Sequence, residues 1–149
     1  MRHHPLAVML VSCLFPAAAW AAPAPCGLVD QETLAALALG DAVTKVEHKT
    51  VPATAQAPAQ HVDMCTFTPR VGSALSLSVM VMALPATTTQ AKPVCNDTTV
   101  KSVGMASCFG IVQGNMVSVS LVSPKATFAQ LNATLRARFG RLVEGGAAQ

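Results

Sequence analysis

Residues 73–84 have the sequence Ser-Ala-Leu-Ser-Leu-Ser-Val-Met-Val-Met-Ala-Leu, in which two kinds of side chain alternate. Successive residues of an extended chain point to opposite sides. One side therefore receives the aliphatic residues Leu75, Leu77, Val79 and Val81, and the other receives Ser76, Ser78, Met80 and Met82. This pattern predicts a central β-strand that buries its aliphatic side.

A second stretch, residues 115–122, has the same pattern. Its aliphatic side carries Val117, Val119 and Leu121, and its other side carries Met116, Ser118, Ser120 and Val122. Two strands with matching sides suit antiparallel neighbours that share one buried face. We therefore expect both strands at the centre of one sheet.

The opposite sides of these strands form a surface that we call the Ser/Met face: Ser76, Ser78, Met80, Met82, Met116, Ser118 and Ser120. Sheet faces left to solvent are usually polar and often charged, and this one carries no charge. A small, charge-free surface with methionine at its edge predicts contact with a protein partner or an apolar ligand. The alternative is that a loop, predicted at residues 85–102, covers it.

The first 21 residues have the features of a secretory signal peptide. A basic opening, Met1-Arg2-His3-His4, precedes an apolar run, and Ala19-Trp20-Ala21 supplies the small residues of a cleavage site. We predict cleavage after Ala21 and a periplasmic or secreted protein. The alternative is a lipid anchor on Cys13, because Leu10-Val11-Ser12-Cys13 matches a lipobox, although few apolar residues precede it. No other window approaches the roughly 18 consecutive apolar residues of a membrane-spanning helix.

Four cysteines remain in the mature chain: Cys26, Cys65, Cys95 and Cys108. An even number of cysteines in a small exported domain is typical of disulfides, and no Cys-x-x-Cys spacing indicates zinc. Three pairings are possible. We favour Cys26–Cys65 with Cys95–Cys108, because each bond then ties a neighbouring loop or helix to a strand.

Helices are predicted at both ends of the mature chain. The first is capped by Asp30 and ends at Gly40. The last opens with Ser123-Pro124 and ends at Gly140, with Arg136, Arg138 and Arg141 at its negative end. The expected buried stripes are Leu34, Leu37 and Ala38 in the first helix, and Phe128, Leu131, Leu135 and Phe139 in the last.

These elements predict an α+β fold: an antiparallel sheet of about five strands backed by an N-terminal and a C-terminal helix and held by two disulfides. Further strands are expected at residues 42–48, 61–69 and 107–112, and an exposed loop at 50–60. We expect one domain over residues 22–143, followed by a disordered tail at 144–149.

The order of features resembles that of a group of small bacterial secreted and lipoprotein domains of unknown function. The residues that carry the resemblance are Pro25-Cys26-Gly27-Leu28-Val29-Asp30, Leu39-Gly40, Cys65-Thr66-Phe67 and Val103-Gly104-Met105-Ala106. The resemblance implies an antiparallel sheet backed by helices and a bond between the leading cysteine and the strand cysteine. It implies no catalytic residue.

Reactive groups are few. His61-Val62-Asp63 places an imidazole and a carboxylate on the same side of a strand, which could orient the imidazole toward a serine as in a hydrolase. The chain has no Gly-x-Ser-x-Gly motif, however, and its cysteines are better explained as disulfides. Five methionines of the mature part, with Met80 and Met82 on one strand face, offer soft ligands for a metal such as Cu(I). No Met-x-x-Met spacing supports this alternative.

Composition excludes nucleic acid as a partner. The mature chain carries nine Lys and Arg against seven Asp and Glu, a net charge of +2, and it has no Tyr. It therefore lacks both a basic stripe and a stacking platform. We predict a non-catalytic exported module, with no cofactor, that binds an envelope protein in the manner of an inhibitor or immunity protein. The alternatives are a carrier of a soft metal or small apolar ligand and, last, a hydrolase.

Overall fold

A computed structural model describes residues 22–56, 58–84, 88 and 92–147. The predicted signal peptide, its cleavage site and Cys13 lie outside the described residues. A 3₁₀-helix at Pro25–Leu28 precedes two helices and six strands: α1 Gln31–Ala36, β1 Val43–Val51, β2 Gln60–Thr68, β3 Ser76–Ala83, β4 Val94–Val100, β5 Val103–Val112, β6 Asn115–Pro124 and α2 Lys125–Ala147. The predicted α+β class is plausible for this arrangement of one sheet and two helices.

The strands form one antiparallel sheet in the order β1-β2-β3-β6-β5-β4. The two strands predicted at the centre, β3 and β6, are indeed neighbours there. The sheet has six strands rather than about five, because β4 lies inside the segment 85–102 that was predicted as a loop. Most of β4 is exposed. Its sequence therefore lacks the apolar alternation by which half-buried strands are recognised.

The helices pack on one side of the sheet, which we call the core face. Leu77, Val79 and Val81 of β3 are at most 2% exposed there, as predicted. The core continues across β2, β6 and β5 and is closed by the apolar stripe of α2: Phe128, Leu131, Leu135, Phe139 and Val143. The first four residues of this stripe were predicted from their spacing.

Both predicted disulfides are present. Cys26–Cys65 ties the 3₁₀-helix to β2, and Cys95–Cys108 joins register partners on β4 and β5. Cys65 and Cys108 are both fully buried in the core. The loops closed by the two bonds span 39 and 13 residues, and each bond typically stabilises a fold by about 2–4 kcal/mol.

Helix α1 is capped as predicted but ends early. The Asp30 carboxylate accepts a hydrogen bond from the Thr33 amide at 2.6 Å, and the hydrogen bonds from Thr33 lower the pKa of Asp30. The helix ends at Ala36, and Ala38 takes a left-handed conformation with φ of 59°. Gly40 therefore does not end the helix. Ala38 is exposed, contrary to the prediction, and Leu39 is buried instead, because the left-handed residue redirects the chain.

Helix α2 differs from the prediction at both ends. Ser123 and Pro124 belong to β6, and the buried Ser123 hydroxyl donates to the Pro124 carbonyl, so Ser123 does not cap the helix. The helix also continues through Gly140 to Ala147, which includes the first four residues of the predicted tail. No basic residue lies in its last turn.

Two of the predicted terminal arginines instead make ion pairs to other elements. Arg136 pairs with Asp97 of β4. Arg138 pairs with Glu32 of α1 at 2.6 Å, and this carboxylate raises the pKa of the guanidinium. Both arginines thus join α2 to its neighbours rather than compensate a helix end.

Helix α2 can lie close to β5 because two strand positions on the core face are glycines. A Cβ at Gly104 would overlap the Phe128 ring, and a Cβ at Gly110 would lie 2.6 Å from Val143. These glycines therefore set the distance between the two layers. Neither helix of the described part is long and apolar enough to cross a membrane.

Candidate functional site

The predicted Ser/Met face lies on the side of the sheet opposite the helices, which we call the helix-free face. The cross-strand partners are Ser78 with Ser120, Met80 with Ser118, and Met82 with Met116. Ser118 is 5% exposed, whereas the other six residues of the Ser/Met face are half-buried. The seven residues therefore form a continuous patch on β3 and β6 at the centre of the sheet.

A row of hydroxyl groups crosses this patch. Thr66 of β2, Ser78, Ser120 and Ser107 of β5 occupy successive register positions on four neighbouring strands. The Thr66 and Ser78 hydroxyl oxygens are 3.2 Å apart, and those of Ser107 and Ser120 are 3.0 Å apart. Each hydroxyl thus has a hydroxyl partner within the sheet surface, which lowers the cost of covering this row with another molecule.

Apolar residues that sequence reasoning did not assign to the site extend the patch across the sheet. Met64 is the register partner of Met80, and Phe109 of β5 is the partner of Ser118. Phe109 is 38% exposed and Met105 is 47% exposed. All five methionines among the described residues lie on the helix-free face. The strand alternation around Met64 and Met105 could have placed them there, because Cys65 and Ala106 belong to the core.

Charge on the helix-free face is confined to the edge strand β1. Lys45, Glu47 and Lys49 lie there, and the other five strands place no charged residue on this side. The Lys45 ammonium is 3.1 Å from the Glu47 carboxylate, and its hydrogen bond lowers the pKa of Glu47. The uncharged centre therefore has a row of charged residues along its β1 edge.

The residues of the hydrolase alternative lie on the other side of the sheet, near its β1 edge. The Asp63 carboxylate is 2.6 Å from Nδ1 of His48, its register partner, rather than bound to His61. His61 instead has Nδ1 3.2 Å from the Thr50 hydroxyl. The hydrogen bonds thus form two separate pairs, and they do not link a carboxylate, an imidazole and a hydroxyl in one chain.

Other clefts of the described part lie around the helices. A cleft between the 3₁₀-helix, α1 and α2 has a volume of about 40 Å³ and is lined mainly by apolar residues, among them Leu37, Leu77 and Phe139. A larger cleft of about 370 Å³ lies between α1 and the start of α2, and Leu75, Gln130 and Leu131 are among its lining residues. Among the described residues, no group of three or more His, Cys, Asp or Glu side chains could hold a metal ion.

Comparison with known proteins leaves the fold without an assigned family. No family model matches the chain, and neither a curated protein nor a solved structure is significantly similar to it. The resemblance to small bacterial secreted domains therefore stays a prediction. The function has to be argued from the surface of the sheet itself.

Proposed function

We propose that this chain is an exported binding module that recognises a protein partner with its helix-free sheet face. The observation that carries the proposal is the distribution of charge: five of the six strands place no charged residue on this face. A solvent-facing antiparallel sheet is normally polar outside. The centres of protein interfaces, in contrast, are poor in charge and rich in methionine and aromatic residues.

The face is large enough for a specific complex. Strands lie about 4.8 Å apart and rise about 3.3 Å per residue, so six strands of about eight residues cover roughly 750 Å². A standard protein interface buries about 800 Å² on each partner. A partner that covers most of this sheet would therefore bury an area of the usual size.

The side chains favour a protein surface as the occupant. Methionine is flexible and polarizable and adapts to irregular apolar surfaces. The hydroxyl row supplies neutral groups that can pair with each other or with a partner's backbone, and charge lies only at the β1 border. We infer a partner with an uncharged, partly apolar contact surface, as expected of an envelope protein held by an inhibitor or immunity protein.

Export is the second part of the proposal. Two disulfides are consistent with an oxidising location outside the cytoplasm. The predicted signal peptide at residues 1–21 would deliver the chain to the periplasm or the medium. Its partner is therefore sought in the cell envelope of the producing bacterium.

The test places charge on the face without touching a methionine. In the variant Ser78→Lys with Phe109→Lys, two ammonium groups lie on β3 and β5, and buried unpaired charges at an interface cost several kcal/mol. We expect the variant to fold with a nearly unchanged melting temperature and to lose a specific partner in quantitative capture from envelope extracts. The matched control, Ala129→Lys with Ala133→Lys, adds the same charge to the exposed side of α2.

Two outcomes would contradict the proposal. A stable face variant that captures every protein held by the wild type would show that the face is not used for binding. Equal losses in the face variant and the α2 control would show that net charge, rather than the face, governs capture.

A further inference from the structure

Four of the five methionines on the helix-free face form one contiguous cluster. Met64 and Met80 are direct cross-strand partners, and so are Met82 and Met116. Met80 and Met82 lie two residues apart on β3, so they join the two pairs. Only the strand register brings these residues together, because Met64 and Met116 are distant from β3 in sequence.

The spacing allows several sulfur atoms to reach one ion. Directly opposed residues have Cβ atoms about 5 Å apart, and diagonal neighbours are separated by about 7 Å. Met64 and Met116 lie on the two strands that flank β3, so each reaches toward Met80 and Met82 between them. Methionine is unbranched and has three rotatable bonds, so its thioether can turn toward a neighbour. Val62, the register partner of Met82, is only 9% exposed and gives the cluster an apolar flank.

No stronger soft ligand competes on this face. All four cysteines among the described residues are disulfide-bonded, and Cys65 and Cys108 point into the core. His48 and His61 lie on the opposite side of the sheet. The nearest carboxylate on the helix-free face belongs to Glu47, and Lys45 and Lys49 lie 3.1 and 4.0 Å from its oxygens.

We infer that Met64, Met80, Met82 and Met116 form a binding site for a soft monovalent cation, Cu(I) or Ag(I). Neutral thioethers bind these ions in preference to Zn²⁺, Mg²⁺ or Ca²⁺, which take imidazole, thiolate or oxygen ligands. Binding here involves no change in oxidation state. This inference goes beyond the proposed recognition of a protein partner, and either activity could exist without the other.

The test titrates the disulfide-bonded protein, labelled with ¹³C on the methionine ε-methyl groups, with silver nitrate in chloride-free buffer. We expect the signals of the four clustered methionines to shift together and to saturate at one ion per chain. Met105 serves as an internal control. It is 47% exposed and its register partners are Thr98 and Val122, so it is accessible but has no methionine opposite.

Isosteric variants decide whether the cluster is the ligand set. Met80→Leu with Met82→Leu keeps the apolar volume but removes two sulfur atoms, and we expect silver affinity to fall by about tenfold or more. Met105→Leu should leave the affinity unchanged. A shift of Met105 equal to that of the cluster, the absence of saturation at one ion, or full affinity in the double variant would overturn the site.

The same variants separate this site from the protein interface. The double leucine variant tests silver binding only, because Met80 and Met82 also belong to the proposed contact face. The variant Ser78→Lys with Phe109→Lys keeps all four thioethers, so it should still bind silver while losing the partner, with a lower affinity because the ammonium at position 78 is two residues from Met80.

Discussion

The two faces of the central strand β3 are made from equally uncharged residues and yet have different environments. Leu77 and Val79 on the core face are completely buried, whereas Ser78 and Met80 on the helix-free face are only half-buried. Both faces could support burial, and the chain's described helices cover only one of them. A lack of charge therefore identifies a surface suited to contact, and the topology decides whether that contact is made inside the chain.

The helical layer is fastened to the core face by directed interactions. The Cys26–Cys65 bond attaches the 3₁₀-helix to β2, and the Arg136–Asp97 pair attaches α2 to β4. The helix-free face has no described element fastened to it. We therefore expect mutations on the two faces to differ in their effect on the free energy of unfolding.

The largest difference is expected between Leu77→Ala and Met80→Ala, two truncations on the same strand. Leu77 is 0% exposed, so its truncation leaves a cavity and should destabilise the fold by about 4 kcal/mol. Met80 is half-buried, so its truncation should lower the free energy of unfolding by only about 1 kcal/mol. Guanidinium unfolding of both variants gives the two values.

Equal losses of stability from Leu77→Ala and Met80→Ala would contradict this prediction. They would mean that the helix-free face is a second core in the folded protein, and the face could then not be offered to a partner. Ser76→Ala, at the end of the same strand, is a control for effects of mutation on β3 that do not depend on side-chain volume.

On β5, a substitution on the core face should again destabilise the fold more than one on the helix-free face, although the difference in stability should be smaller. The methyl group of Gly104→Ala would overlap the Phe128 ring, and we expect a loss of about 2 kcal/mol as α2 shifts. The adjacent Met105→Ala on the helix-free face should cost less than about 0.5 kcal/mol. Thermal unfolding of the two single variants compares them directly.

A Gly104→Ala variant as stable as the wild type would show that α2 is not held close to β5. A smaller cost of Gly104→Ala in a Phe128→Ala background would support the close contact, because alanine lacks the Cγ and Cδ atoms that the new methyl group would overlap. Met105→Ala in the same Phe128→Ala background is the matched control.

The parts of the fold that follow from simple periodicity could be predicted from the sequence. The alternation in residues 73–84 and 115–122 gave both central strands and the correct core face. The spacing of Phe128, Leu131, Leu135 and Phe139 gave the buried stripe of α2. The even number of cysteines and their order along the chain led to the correct pairing.

The missed features depend on tertiary context. Strand β4 is an exposed edge strand without an apolar pattern, and it is held in the sheet by its pairing with β5. Gly140 stays inside α2 because the buried Val143 extends the stripe beyond it. Ala38 adopts a left-handed conformation, although glycine is the usual residue at such a helix end. The next amide, of Leu39, donates a hydrogen bond of 2.7 Å to the Leu34 carbonyl. The methionine cluster is formed by strand register, which the sequence alone does not specify.

The smallest expected effect is the coupling energy between the hydroxyl groups of Ser107 and Ser120. Its size indicates whether water reaches the helix-free face. Their oxygens are 3.0 Å apart on half-buried residues, so each lost hydrogen bond can be replaced by water. A double-mutant cycle with Ser107→Ala and Ser120→Ala should therefore give a coupling energy of about 0.5 kcal/mol in the free protein. A coupling well above 1 kcal/mol would indicate a dry environment, because an unpaired buried hydroxyl costs more than an exposed one.

Once a partner is identified, the same cycle measured on binding should give a larger coupling than it gives on folding, since the partner would exclude the water that replaces the missing hydroxyl. An unchanged coupling would place the pair outside the interface even if the rest of the face binds.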